Sequence, residues 1–232
     1  MNWWCTDVGR IVGRVTPALL AGFGLGLSLI VAIGAQNLFV LRQGVRREHV
    51  VAVAAVCAVS DAALIVAGVS GLGLVLHAVP WLIGVVRWAG FAFLLAYGLL
   101  AARRALRPSG ETLRVGDGSG RPSSAPADGA GGAVGLGTRL APTILTCLAL
   151  TWLNPHVYLD TVFLLGSVAS TYGDLRWWFA AGAVIASFVW FFGLAFGARY
   201  LGRWLATPRA WRILDAIIAV VMIAIAVSLV WP

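Results

Sequence analysis

Apolar residues run along this chain in six long blocks, roughly 17–41, 50–76, 80–102, 140–166, 177–198 and 210–231. Each is about as long as the ~20 residues a helix needs to cross ~30 Å of hydrocarbon. Strands of a membrane barrel would be shorter and would alternate apolar with polar, which these blocks do not. The pattern predicts an all-α integral membrane protein with six transmembrane helices.

Between the third and fourth blocks the composition changes. Residues 107–139 are rich in Gly, Pro, Ser and Ala with mixed charge, a composition that cannot bury enough apolar surface to order itself. The expected organisation is therefore a first three-helix half over residues 1–106 with a short N-terminal arm, a flexible cytoplasmic linker over 107–139, and a second three-helix half over 140–232. An odd number of crossings per half sets the second half upside down relative to the first, the arrangement of two inverted three-helix repeats. Faint internal similarity agrees with this. The first block of each half is interrupted by polar or helix-breaking residues, Gly34-Ala35-Gln36-Asn37 and Leu153-Asn154-Pro155-His156, and the second blocks carry Ser60-Asp61 and Ser187-Phe188 at loosely similar positions.

Composition closes off the soluble classes. Hydrophobic residues make up 60% of the 232 and charged residues 11%, against about 25% charged in a soluble domain; mean hydropathy is +0.91. The formal charge is +8, and every one of the 17 basic residues is arginine. With so little polar surface, this charge reads as orientation rather than as a nucleic-acid surface. Thirteen arginines fall in connections on one side (Arg42, Arg46 and Arg47; six from Arg103 to Arg139; Arg199, Arg203, Arg209 and Arg212) and three on the other (Arg10, Arg14 and Arg176). The positive-inside rule then puts the 107–139 connection in the cytoplasm and both termini outside. Arg10 and Arg14 resemble a signal-peptide n-region, but the apolar block that follows exceeds a cleavable h-region of about 7–15 residues, so it reads as an uncleaved span. Trp3, Trp4, Trp81, Trp177, Trp178 and Trp231 fall near the expected interfaces as an aromatic belt, and Trp190, mid-span, is a candidate cavity wall.

Ionisable groups inside hydrocarbon cost about 2.5–3.5 kcal/mol each on insertion scales, so each needs a reason. Asp61 lies near the middle of the second block and Arg87 in the third; a switchable pair beside a permeation path and a structural or snorkelling role are both open to them. Pro155 removes one backbone donor and frees a carbonyl one turn earlier, tolerable at membrane depth where the backbone lines a cavity or is covered by protein. Freed carbonyls suit an ammonium or guanidinium, and helix N-termini suit a carboxylate; a kink without a ligand is the alternative. His156 and Asp160, four apart, share a helix face, where an acid attracts a cation and an imidazole carries a proton, unless Asp160 simply reaches the hydrated interface. Gly34 with Gln36 and Asn37 loosens the first block in the same way. Asp215, three residues from Arg212, reads as a local ion pair.

GxxxG spacings at Gly22–Gly26 and Gly193–Gly197 permit close helix approach, within one subunit or in a homodimer. Cys5, Cys57 and Cys147 form no CxxC pair, and the latter two read as small buried hydrophobes. No metal-ligand spacing, Gly-x-Ser-x-Gly elbow or P-loop is present, so no cofactor or metal is expected and transport would draw on ion or substrate gradients.

The interrupted blocks carry a family resemblance. Gly34-Ala35-Gln36-Asn37 followed by Val40-Leu41-Arg42-Gln43-Gly44, then Ser60-Asp61, Val86-Arg87-Trp88-Ala89-Gly90 and above all Thr151-Trp152-Leu153-Asn154-Pro155-His156-Val157-Tyr158-Leu159-Asp160 resemble the LysE/ArgO basic amino-acid exporters over nearly the whole chain except the N-terminal arm and the linker. One departure is Ala35, where the family usually has Pro. The resemblance implies a multi-pass bacterial plasma-membrane protein, embedded in lipid and without nucleic-acid partners, that exports L-lysine and L-arginine on the proton-motive force, with protons as coupling ion. It also implies an Asp61–Arg87 interaction. The residues singled out for substrate are then Gln36, Asn37, Asp61, Asn154, Pro155, Tyr158 and Asp160, and those for gating or proton coupling are Asp61, Arg87, His156 and Asp160. Export of neutral amino acids or another small metabolite is the alternative within transport. A membrane-embedded enzyme is a different class, but His49, His77 and His156 are scattered over the expected topology; a structural or sensory subunit is a third.

Overall fold

A computed structural model describes residues 3–32, 34–71, 80–106, 140–201 and 207–231. The 107–139 linker, Arg203 and His77 lie outside the described residues, as do the side chains of Trp3, Trp4, Cys5 and Arg10. Among the described residues the protein is helical throughout, with no strand. In chain order the elements are α1 (Trp3–Ile30), α2 (Ala35–Arg46), α3 (Val50–Val69), α4 (Pro80–Leu106), α5 (Leu140–Trp152), α6 (Pro155–Val157), α7 (Leu165–Ser170), α8 (Arg176–Leu201) and α9 (Pro208–Val230). A π-helical stretch, Tyr158–Leu164, joins α6 to α7. Among the described residues, five stretches are long and apolar enough to cross a membrane: Gly13–Ile30, Val50–Val69, Gly84–Leu106, Gly173–Tyr200 and Arg209–Val230.

Two expected spans are therefore not continuous helices. The helix expected at residue 17 begins at Trp3, carries Pro17 within it, and stops at Ile30; α2 then starts afresh. The break is complete even though Ala35 stands where a proline was expected, and Gly34 in an extended conformation (φ −125°, ψ 169°) is its pivot. The block at 140–166 breaks at Leu153–Asn154, with Pro155 at the first position of α6, where its missing N–H costs nothing. The other boundaries follow local chemistry. α9, for example, starts at Thr207, whose hydroxyl accepts from the Ala210 N–H at 3.3 Å, with Pro208 next.

Helix packing places both breaks at mid-depth. α1 and α2 follow α8 one after the other: Gly22 lies against the Phe179 backbone, Gly26 against Ala183, and Gly44 of α2 against Ala195 and Ala198. The broken segment α5–α7 follows α3 in the same manner, with Cys147 facing Cys57 (Sγ–Sγ 2.9 Å) and Gly166 against Gly68. α3 and α8 meet where the Ser187 hydroxyl donates to Asp61 Oδ2 at 3.3 Å. α4 and α9 run antiparallel, joined by Arg87 to the Leu229 and Val230 carbonyls at one end and by Arg212 Nε to the Ala105 carbonyl at the other. Each broken span thus lies on the unbroken middle helix of the opposite half.

The glycine spacings divide by this packing. Gly22 and Gly26 let α1 approach α8 closely, whereas a Cβ at Gly193 or Gly197 would meet nothing within 4 Å. Trp81, Trp177, Trp178 and Trp231 are all exposed, as an interfacial belt requires.

Candidate functional site

The two helix breaks face one cavity of about 230 Å³. It is smaller than the roughly 300–1,000 Å³ of a drug-sized site and so suits a single small metabolite. Six residues singled out from the sequence line it: Gln36, Asn37, Asp61, Asn154, His156 and Asp160. These come from three separate blocks of sequence and meet only because α1, α2 and α5–α7 interrupt at the same depth.

The site is charged against the grain of the chain. The protein is formally +8, yet the charged residues lining the cavity are Asp61 and Asp160, with His156 beside the latter and no arginine. Asp61 is buried and held by Ser187; Asp160 and His156 are exposed. The widened π-helical turn brings both Asp160 and Thr161 onto the cavity side, a distortion frequent at functional sites. A positive pole faces these acids. The N-terminus of α2 opens onto the cavity at Ala35, Gln36 and Asn37, no side chain caps it, and the Gln36 amide nitrogen is buried without a hydrogen-bond partner. Unpaired first-turn N–H groups and the helix dipole attract an anion there. The cavity therefore offers acids to a cation and, at the α2 N-terminus, free N–H groups to a carboxylate.

The asparagines act on the breaks themselves. Asn37 Nδ2 donates to the carbonyls of Ile30 (2.7 Å) and Ala32 (2.8 Å), and its Oδ1 accepts from Trp190 Nε1 at 3.2 Å. Trp190 is tied in this way rather than lining the cavity. Asn154 Oδ1 caps α6 by accepting from the His156 N–H at 3.2 Å. Asn37→Ala is expected to leave two carbonyls of the break without a donor and to lower stability by about 2 kcal/mol, read as a fall in the thermal midpoint of purified protein.

Three expectations are corrected. Arg87 does not meet Asp61: its guanidinium donates to the Leu229 and Val230 carbonyls at the C-terminus of α9, where the helix dipole favours a cation, and so holds the helix end beside Ser228 at the cavity wall. Tyr158 does not line the cavity; its hydroxyl donates to the Trp152 carbonyl at 2.8 Å, covering backbone opened by the break. Pro155 is buried and shapes the break without lining the site. Sequence reasoning missed Thr161, Ser228 and Phe191 as lining residues; Ser228, a hydroxyl in an otherwise apolar final block, was the available signal. It also misread Asp215, which pairs with Arg42 (3.4 Å) and Arg104 (3.7 Å) rather than with Arg212.

The chain matches the family described as LysE type translocator over residues 27–231. It belongs to that family. It is 50% identical over 202 residues to a Mycobacterium tuberculosis protein named provisionally as an amino-acid transporter, covering 87% of this chain and 90% of that one. It is 43% identical to the arginine exporter protein ArgO of Serratia proteamaculans (91% and 95% of the two chains) and 40% identical to the lysine exporter LysE of Corynebacterium efficiens (91% and 97%). No solved structure matches the chain. This LysE-type translocator is a multi-pass bacterial membrane transporter of amino acids and not an enzyme. Among the described residues no group of His, Cys, Asp or Glu could hold a metal ion.

Proposed function

We propose that this translocator exports the basic amino acids L-lysine and L-arginine from the cytoplasm, driven by the proton-motive force. The observation that carries the reading is the cavity: two carboxylates lining one space beside two broken helices, in a chain whose relatives include lysine and arginine exporters. Asp61 and Asp160 take the cationic side chain or protons in alternation, with His156 beside Asp160 as a proton carrier. The α2 N-terminus and the Gln36 amide take the substrate carboxylate. Coupling is required because a cation leaving a negative-inside cell works against about 2.3 kcal/mol per 100 mV.

The swapped packing of the halves supports six spans as two inverted repeats, α1–α2, α3 and α4 against α5–α7, α8 and α9. In this arrangement α5 through α7 together form the sixth crossing. The arginine distribution orients them with both termini outside and the linker inside. In this orientation the end of α9 and residues 156–161, which line the cavity, lie on its outer side, which supports reading this arrangement as outward-facing.

Proteoliposomes loaded with labelled lysine test the proposal. A proton gradient is expected to drive lysine efflux that unlabelled arginine inhibits and threonine does not. Inhibition by threonine at the same concentration would move the assignment to a neutral amino-acid exporter.

A further inference from the structure

The end of the molecule away from the cavity holds a second cluster of buried charge. Asp215, near the start of α9, faces Arg42 from the end of α2 at 3.4 Å and Arg104 from the end of α4 at 3.7 Å. Asp215 and Arg42 are both buried. The cluster belongs to neither cavity nor linker. Along α9 it is ten residues from Ile225 of the cavity wall, which at 1.5 Å per residue is about 15 Å. The intervening volume is filled by Phe39, Val40, Leu214, Ile218 and Met222, all buried.

We infer that the Arg42–Asp215–Arg104 cluster is the closure of the pathway on the cytoplasmic side, holding α2 to the α4–α9 pair while the cavity faces outward and separating when it faces inward. This rests on the exporter reading for its direction but not for its chemistry. Two features distinguish a closure from ordinary packing. First, the Arg42–Asp215 contact ties α2 to the α4–α9 pair, with Arg104 bracing Asp215 from within that pair, across a seam along which one bundle can rock against another. Second, the cluster is incompletely satisfied: Arg42 Nε and Asp215 Oδ1 are buried without hydrogen-bond partners, as are Gln43 Oε1 and Trp211 Nε1 on the same two helices. A fully satisfied network would resist opening. Here, water reaching the cluster on opening would supply bonds that the closed state lacks and hydrate the buried Arg42 and Asp215, offsetting the cost of parting the apolar plug. Such a cluster suits an element with two arrangements of similar free energy.

Two native thiols report the state of this closure. Cys57 lies one turn from Asp61 toward the cluster, facing Cys147, and both are fully buried. The full-length protein carrying Cys5→Ser is treated with N-ethylmaleimide in detergent, without any amino acid, and labelling is followed by intact mass. With the cluster intact both thiols should react slowly. Asp215→Asn removes the shared carboxylate and should raise the labelling rate about tenfold or more, while Asp215→Glu restores protection. Arg104→Gln, at a side chain 41% exposed, should act in the same direction and stands in if Asp215→Asn loses its thermal transition. Labelling at the unsubstituted rate in a folded Asp215→Asn or Arg104→Gln protein overturns the closure. Because no substrate is present, a failed lysine assignment would show only in the efflux assay and leave this result intact.

Discussion

Asp61→Asn is expected to abolish gradient-driven efflux while leaving the protein folded. Asp61 is the buried acid of the cavity, reached by Ser187 from the opposite half and by no arginine. Asparagine has nearly the same shape and can still take the Ser187 hydrogen bond, so packing should survive. It can neither balance an ammonium or guanidinium nor exchange a proton. Removing one partner of a buried charge pair costs about 2–5 kcal/mol, so the apparent affinity for lysine should fall about 30-fold or more, at about 1.4 kcal/mol per tenfold. Efflux coupled to the proton gradient should fall to background. Lysine-dependent thermal stabilisation and proteoliposome efflux, measured on the same preparation, check both parts. Wild-type efflux by this variant would remove Asp61 from the transport cycle.

The second large effect is steric and lies on α4. A Cβ at Gly90 would sit 2.0 Å from the Leu153 carbonyl oxygen, backbone at the break between α5 and α6. Backbone cannot rotate away as a side chain can. Gly90→Ala must push α4 off the break, at about 3 kcal/mol or more, and should disturb the Asn154 cap and the neighbouring cavity wall. Two other glycines of the same helix calibrate this. At Gly98 a Cβ would meet the Ile223 side chain at 2.9 Å, and at Gly84 nothing within 4 Å. Thermal midpoints should therefore rank Gly84→Ala near wild type, Gly98→Ala modestly lower and Gly90→Ala lowest, with lysine binding lost only in the last. Equal midpoints for all three would show that α4 is not seated against the break.

Much of this arrangement was legible in the sequence because a membrane punishes polarity. Asp61, Asp160, Gln36 and Asn154 stand out in apolar surroundings, and Gly34 and Pro155 mark both breaks. What the sequence hid was partnership. Asp61 and Arg87 look like a pair because each is an ionisable residue within the apolar run of one of two consecutive helices, but α4 turns Arg87 toward the end of α9. Arg212 is the nearest arginine to Asp215 in sequence, yet its Nε bonds the Ala105 carbonyl and Asp215 faces α2 and α4. Asn37 reads as a substrate ligand until its amide is seen bonding the break beside it. Long-range helix packing decides the first two, and no local periodicity encodes it; the third is a local bond that forms only because the helix breaks.

The crossing of the halves has a consequence for how the chain is made. α1 and α2 are completed by α8, which begins about 130 residues after α2 ends. At roughly 5–20 residues per second of synthesis, the broken first span waits on the order of ten seconds before its partner exists. Through that interval the bared carbonyls of Ile30 and Ala32 can draw only on neighbours, and Asn37 is seven and five residues away from them. The asparagine is thus a stitch available at birth, and Trp190 fastens it later. Loss of Asn37 should accordingly lower the yield of inserted protein in addition to the thermal midpoint of molecules that have matured.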